Sequence, residues 1–162
     1  MNPISAKIVE ETWMEMGEME IDDVMRLITK FSKEQPSALM YLMAAGEDVF
    51  NEDEREILMY LGANVWRMMS KGEKKLPMVS DKKLFQAEDA NIKTLEGMMG
   101  ESPGDFIAVV DNIVGNYNQV EILGYLLTAL TEEGDDNVKI REDSQGLMMI
   151  CLKSLLDCLD AA

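Results

Sequence analysis

The chain has 162 residues, 47% of them apolar, with a net charge of −16 and no histidine. That length and apolar content suit one globular domain with a real core, while the acidity disfavours phosphate backbones and anionic membrane surfaces. Without histidine the commonest general base and the usual zinc and di-iron ligand sets are missing, and no apolar run approaches the length of a membrane span.

Residues 5–16 (SAKIVEETWMEM) predict a first helix, capped by Ser5 and ended at Gly17. Ile8, Val9, Thr12, Trp13 and Met16 make its packed side, with Trp13 docked over the core edge. Residues 21–34 predict a second helix, striped by Ile21, Val24, Met25, Leu27, Ile28 and Phe31. The stretch from Gln35 to Met69 then predicts two consecutive helices, which a short connection should pack antiparallel. Pro36 suits the first helical position, where a missing N–H costs nothing. Leu39, Met40, Leu42 and Met43 form one wide apolar face, and Gly46 is the stop. Asn51 is an N-cap for the second member, with Glu52, Asp53 and Glu54 facing the positive end of its dipole. Ile57, Leu58, Leu61, Val65, Met68 and Met69 follow at helical spacing, and Lys71 with Gly72 closes the helix.

Residues 71–83 (KGEKKLPMVSDKK) are basic and carry Gly72 and Pro77, which predicts a solvated connector. Ser80 caps a helix from Asp81 to Met99 with Leu84, Ala87, Ile92, Leu95 and Met99 inward and Gly100 as the stop. Residues 104–114 are apolar enough for a helix, with a strand as the alternative because of their β-branched content. Asn118 is the expected cap of a helix to Thr131, and residues 134–137 form an acidic loop. The last helix, 140–159, places Leu147, Met148, Cys151, Leu155 and Cys158 inward. Cys151 and Cys158 lie two turns apart, roughly 10 Å on a helix. That is too far for a disulfide, so both are expected as reduced, buried thiols of a cytoplasmic protein. The segment MNPISAKIVEETW has no apolar core of a signal peptide.

The expected fold is all-α, about eight helices in one bundle over residues 1–162. The two ends of the chain echo each other. VMRLITKF from Val24 matches FIAVVDNI from Phe106 in apolar pattern, 82 residues on. ALMYLMAA from Ala38 matches ILGYLLTA from Ile122, 84 residues on, placing Tyr41 on Tyr125. ILMYLGANVWRMM from Ile57 matches LMMICLKSLLDCL from Leu147, 90 residues on. Two readings stay open: two four-helix halves, 1–72 and 80–162, joined by the connector 71–83, or a plain bundle whose likeness is accidental.

Catalytic vocabulary is thin. The cysteines lack CxxC spacing, no glycine-rich phosphate cradle occurs, and the acidic stretches from Gly46 and Glu132 lack the order of an EF-hand. Weak cation binding at Asp135, Asp136 and Asn137 is a minor alternative to a solvated loop. Paired carboxylates such as Glu10 with Glu11, Asp22 with Asp23, and Glu52 to Glu54 read as solvated helix starts. The leading expectation is a non-catalytic interaction or regulatory module, with a protein partner or a second copy and no cofactor or metal. Its fifteen methionines suit adaptable contact faces, although methionine also serves as an ordinary helix former. The alternative is a bundle, or an enzyme, with a ligand cavity opened by Gly62, Ala63, Gly124 and Gly146. An acidic mimic of nucleic acid stands third. Trp66, Tyr41 and Tyr125 are the candidate partner-contact residues, with core and interface both open for Trp66.

Overall fold

The computed structural model describes residues 1–99, 113–131 and 140–161, and its elements are all helical. In chain order they are α1 (Ala6–Glu18), α2 (Ile21–Glu34), α3 (Pro36–Ala44), α4 (Glu52–Ser70), α5 (Asp81–Met99), α6 (Val120–Thr131) and α7 (Glu142–Asp160). Residues 113–116 are helical as well, while the helix expected over 104–114 and the acidic loop 134–137 otherwise fall outside the described residues.

Helix starts follow local chemistry. Ser5 accepts from the Ile8 amide at 3.3 Å, and Ser80 from the Lys83 amide at 3.3 Å. Asn51 and Glu54 form a reciprocal capping box at 2.8 and 3.0 Å, satisfying two amides that a helix start leaves open. Two expected punctuation marks differ. Gly17 lies inside α1 rather than ending it. Asn118 stands two residues before α6, and its amide donates to Met1 O and the Asp160 carboxylate instead of capping the helix.

α4 and α7 form the centre and pack on one another. Each has 19 residues, of which ten are buried, too many for one face of a surface helix. α1 lies along α4 and crosses to α6, whereas α5 lies along α7 and crosses to α3. Gly62 allows one close approach: a Cβ there would sit 2.3 Å from Leu42 Cδ1, so an alanine fits between α3 and α4 only if the buried Leu42 side chain shifts. Gly62 therefore serves close packing rather than a cavity. The Trp66 ring stacks on Phe31, centroids 4.9 Å apart, and joins α2 to the core.

Several expected inward positions face out. Trp13 is 54% exposed, because α1 turns Val9, Thr12 and Met16 inward and leaves the ring on its flank. Ile21 and Met25 are exposed on α2, as are Met40 and Met43 on α3 and Leu147 on α7. These helices bury one edge of a wide stripe and leave the other uncovered.

The connector also departs from a solvated loop. Lys74 and Lys75 are exposed, but Val79 is buried. Gln35, itself buried, donates from Nε2 to Pro77 O at 2.7 Å and accepts at Oε1 from the Val79 amide at 3.0 Å. Gln119 holds the chain start similarly, accepting from the Ile4 amide at 2.8 Å and donating to Asn2 O at 3.2 Å. A buried glutamine with both amide atoms paired avoids the desolvation cost of an unpaired one.

Candidate functional site

α3, α5 and α7 enclose an apolar groove of about 510 Å³. Tyr41, Leu84, Ile150 and Cys151 line its wall. Its rim carries Met40, Phe85 and Leu147, which are 69%, 62% and 40% exposed. The turn after α3 shapes one end. Gly46 has φ of 68°, a left-handed conformation that side chains disfavour, and the Phe50 ring occupies the space a Cβ would need. Glycine there lets the chain turn back and lay Phe50 against the groove.

Two carboxylates, Asp81 and Glu88, border this apolar surface. The Tyr41 hydroxyl donates to Glu88, and the Tyr41 and Phe85 rings meet edge to face at 6.5 Å. Burial pushes the Tyr41 pKa up, and the nearby Cys151 and Glu88 add to that. Burial likewise raises the Cys151 thiol to about 11, against the neighbouring Tyr41 hydroxyl, which works the other way. Both groups therefore keep their protons at neutral pH, and a protonated thiol is a poor nucleophile. What the groove offers is an apolar trough with acidic groups at its edge, which suits an incoming apolar surface that carries a cation.

The three sequence candidates separate. Trp66 is 1% exposed, so the interior reading of this residue is the one the structure shows. Tyr41 belongs to the groove. Tyr125 is half-buried and accepts from Asn64 Nδ2 at 2.7 Å, and burial leads in raising its hydroxyl to about 12. Tyr41 and Tyr125 do not meet in one site.

Glu54 was expected on a solvated helix start and is instead inaccessible. Its carboxylate accepts from Arg141 Nη2 at 2.7 Å and from the Arg141 amide at 3.0 Å, tying α4 to the start of α7. A second polar cluster joins α5 to α7: Lys153 bonds Asn91 and Asp157, and Tyr117 donates to Asp157 beneath the ammonium. Every member has a partner, which reads as a structural tie. Among the described residues no cluster of three or more carboxylate or thiol groups is arranged to hold a metal, and no helix is long and apolar enough to cross a membrane. The carbonyls and carboxylates of residues 135–137 lie outside the described residues.

Glu88 and Phe85 were not singled out from sequence, and Leu147 was expected inward but faces out. One signal was available: Phe85 is a large aromatic ring lying off the inward stripe of its own helix, beside Leu84. Compared with known proteins, the chain matches no family model, and no curated protein or solved structure resembles it closely enough to lend it a function.

Proposed function

We propose that the protein is a non-catalytic interaction module whose α3–α5–α7 groove receives a basic amphipathic helix of a partner protein. The observation that carries this reading is the groove itself: exposed Met40, Phe85 and Leu147 around an apolar trough, with Glu88 and Asp81 at its edge. Amphipathic helices bind by laying apolar anchors into such troughs, and methionine adapts to their shape. The net charge of −16 selects a basic occupant and disfavours a second copy of the chain.

A synthetic leucine–lysine amphipathic peptide, followed by fluorescence anisotropy, tests this. The wild-type protein binds it, and a leucine–glutamate peptide of the same pattern does not bind. Phe85→Asp adds negative charge, so it strengthens purely electrostatic attraction but damages an apolar contact. Weakening by at least about tenfold, the scale of one lost interface anchor, supports the groove. Equal or tighter binding by Phe85→Asp refutes it.

A second reading is a small-molecule site, because the groove volume lies in the usual range for ligand pockets. Its ligand would be an apolar amine paired with Glu88. Thermal shifts by long-chain alkylamines, lost in Glu88→Gln, would favour it over the peptide.

A further inference from the structure

We infer that the chain is a tandem duplication of one helical unit, folded as the two halves of a pseudo-twofold dimer. The reciprocal glutamine clamps carry the argument. Gln35 immediately precedes α3 and Gln119 immediately precedes α6. Each uses its amide nitrogen on one carbonyl and its amide oxygen on the N–H two residues later. Each clamped segment ends in a buried β-branched residue, Val79 or Ile4, followed by the serine that caps the next helix. The first half holds the leader of the second, and the second half holds the leader of the first. Units stacked by translation make such a contact in one direction only. Exchange in both directions is the mark of a twofold, where residue i meets j and j meets i.

The central helices agree independently. α4 and α7 have equal length, and their starts lie 90 residues apart. Shifted by 90, nine of the ten buried positions of α4 fall on buried positions of α7. A shift of one residue either way leaves six or fewer. Even buried polar positions coincide, Glu54 with Ser144 and Asn64 with Ser154, which apolar periodicity does not generate. The packing has the same symmetry: α1 on α4 and α6 mirrors α5 on α7 and α3, with α4 against α7 at the axis. Start-to-start offsets are 75 for the first helices, 84 for the third and 90 for the fourth. The offset changes between elements, and α3 and α6 differ in length at their C-terminal ends.

The equivalence places Tyr125 where Tyr41 stands and Trp13 where Glu88 stands. Glu88, the groove carboxylate that Tyr41 bonds, is thus a departure of one half from the other.

Exchange of the clamped segments tests the inference. Asn2→Pro, Pro3→Met and Ile4→Val are combined with Pro77→Asn, Met78→Pro and Val79→Ile, so that each leader enters the other socket. Gln35→Ala and Gln119→Ala serve as references. Each reference lowers the thermal midpoint by a similar amount, about 5–10 °C for two lost buried hydrogen bonds in a chain of this size. The exchanged chain melts above both references if the sockets are equivalent, and at or below them if they are not. A crystal structure of the wild-type chain decides independently of any variant. Residues 2–9, 35–44 and 52–70 must superpose on 77–84, 119–128 and 142–160 by a rotation near 180°, the operator of a twofold. Any other operator overturns the inference.

Discussion

Replacing Glu54 by Gln removes a charge from the junction of α4 and α7 while keeping its shape. Burial alone raises the pKa of this carboxyl. Hydrogen bonds from the Arg141 side chain, the Asn51 amide, Ser144 and the Arg141 amide outweigh burial and bring it from 4.5 to about 2. A displacement of that size corresponds to at most about 3 kcal/mol at neutral pH. The Arg141 side chain is 55% exposed, so screening by solvent reduces the figure to about 2 kcal/mol. The folded pKa lies below the unfolded one. The stabilisation is therefore whole above the unfolded value of 4.5 and is lost as the pH falls through about 2. Roughly half or less of it remains at pH 3. Urea unfolding of wild type and Glu54→Gln, read by circular dichroism near pH 7, 4.5 and 3, measures the difference directly. It should shrink from about 2 to below about 1 kcal/mol across that series. Glu52→Gln, at an exposed position on the same turn, should stay within about 0.5 kcal/mol of wild type. A Glu54→Gln difference under about 0.5 kcal/mol at neutral pH, or one that does not shrink on acidification, refutes the reasoning.

Other perturbations have equally definite outcomes. Gly62→Ala drives a methyl group into Leu42 and should cost about 1–3 kcal/mol. Gly17→Ala meets nothing within 4 Å and should be neutral or stabilising by up to about 1 kcal/mol, so denaturant melts of the pair separate packing from propensity. Cys151 and Cys158 are buried, and burial raises each thiol to about 11. Native protein near pH 8 should therefore react slowly with an aromatic disulfide reagent and fully once unfolded. Trp13→Phe should remove the fluorescence component that acrylamide quenches and leave the blue-shifted emission of Trp66, which is stacked on Phe31.

Much of the helical layout was legible because its signals are local. Ser5, Asn51 and Ser80 mark starts within four residues of the amides they cap, and α4 shows its apolar stripe in full. Stripes do not report how far a neighbour covers them. Ile21, Met25, Met40 and Leu147 therefore looked inward on periodicity and face out, and that misreading hid the rim of the groove. Polar residues were misjudged for a related reason. Glu54 resembles any acidic helix start until Arg141, 87 residues away, is placed beside it. Gln35 and Gln119 share the same offset as Tyr41 and Tyr125, and comparison of the stretches QPSALMYL and QVEILGYL would have found them.

The clamp on Ile4 also sets a schedule for synthesis. Gln119 is made 115 residues after the amide it holds. At roughly 5–20 residues per second, translation leaves that amide waiting about 6–23 s. From the completion of α4 until α7 is made, the face of α4 that α7 later covers has no C-terminal half to pack on. A nascent chain in this condition exposes apolar surface that the finished protein buries. It is also a host for the finished C-terminal half of a neighbouring chain on the same messenger, whose Gln119 fits its Ile4 equally well. Exchange of halves between chains is the misassembly this fold invites. Dense polysomes and high expression would favour it, and dilution during refolding would suppress it.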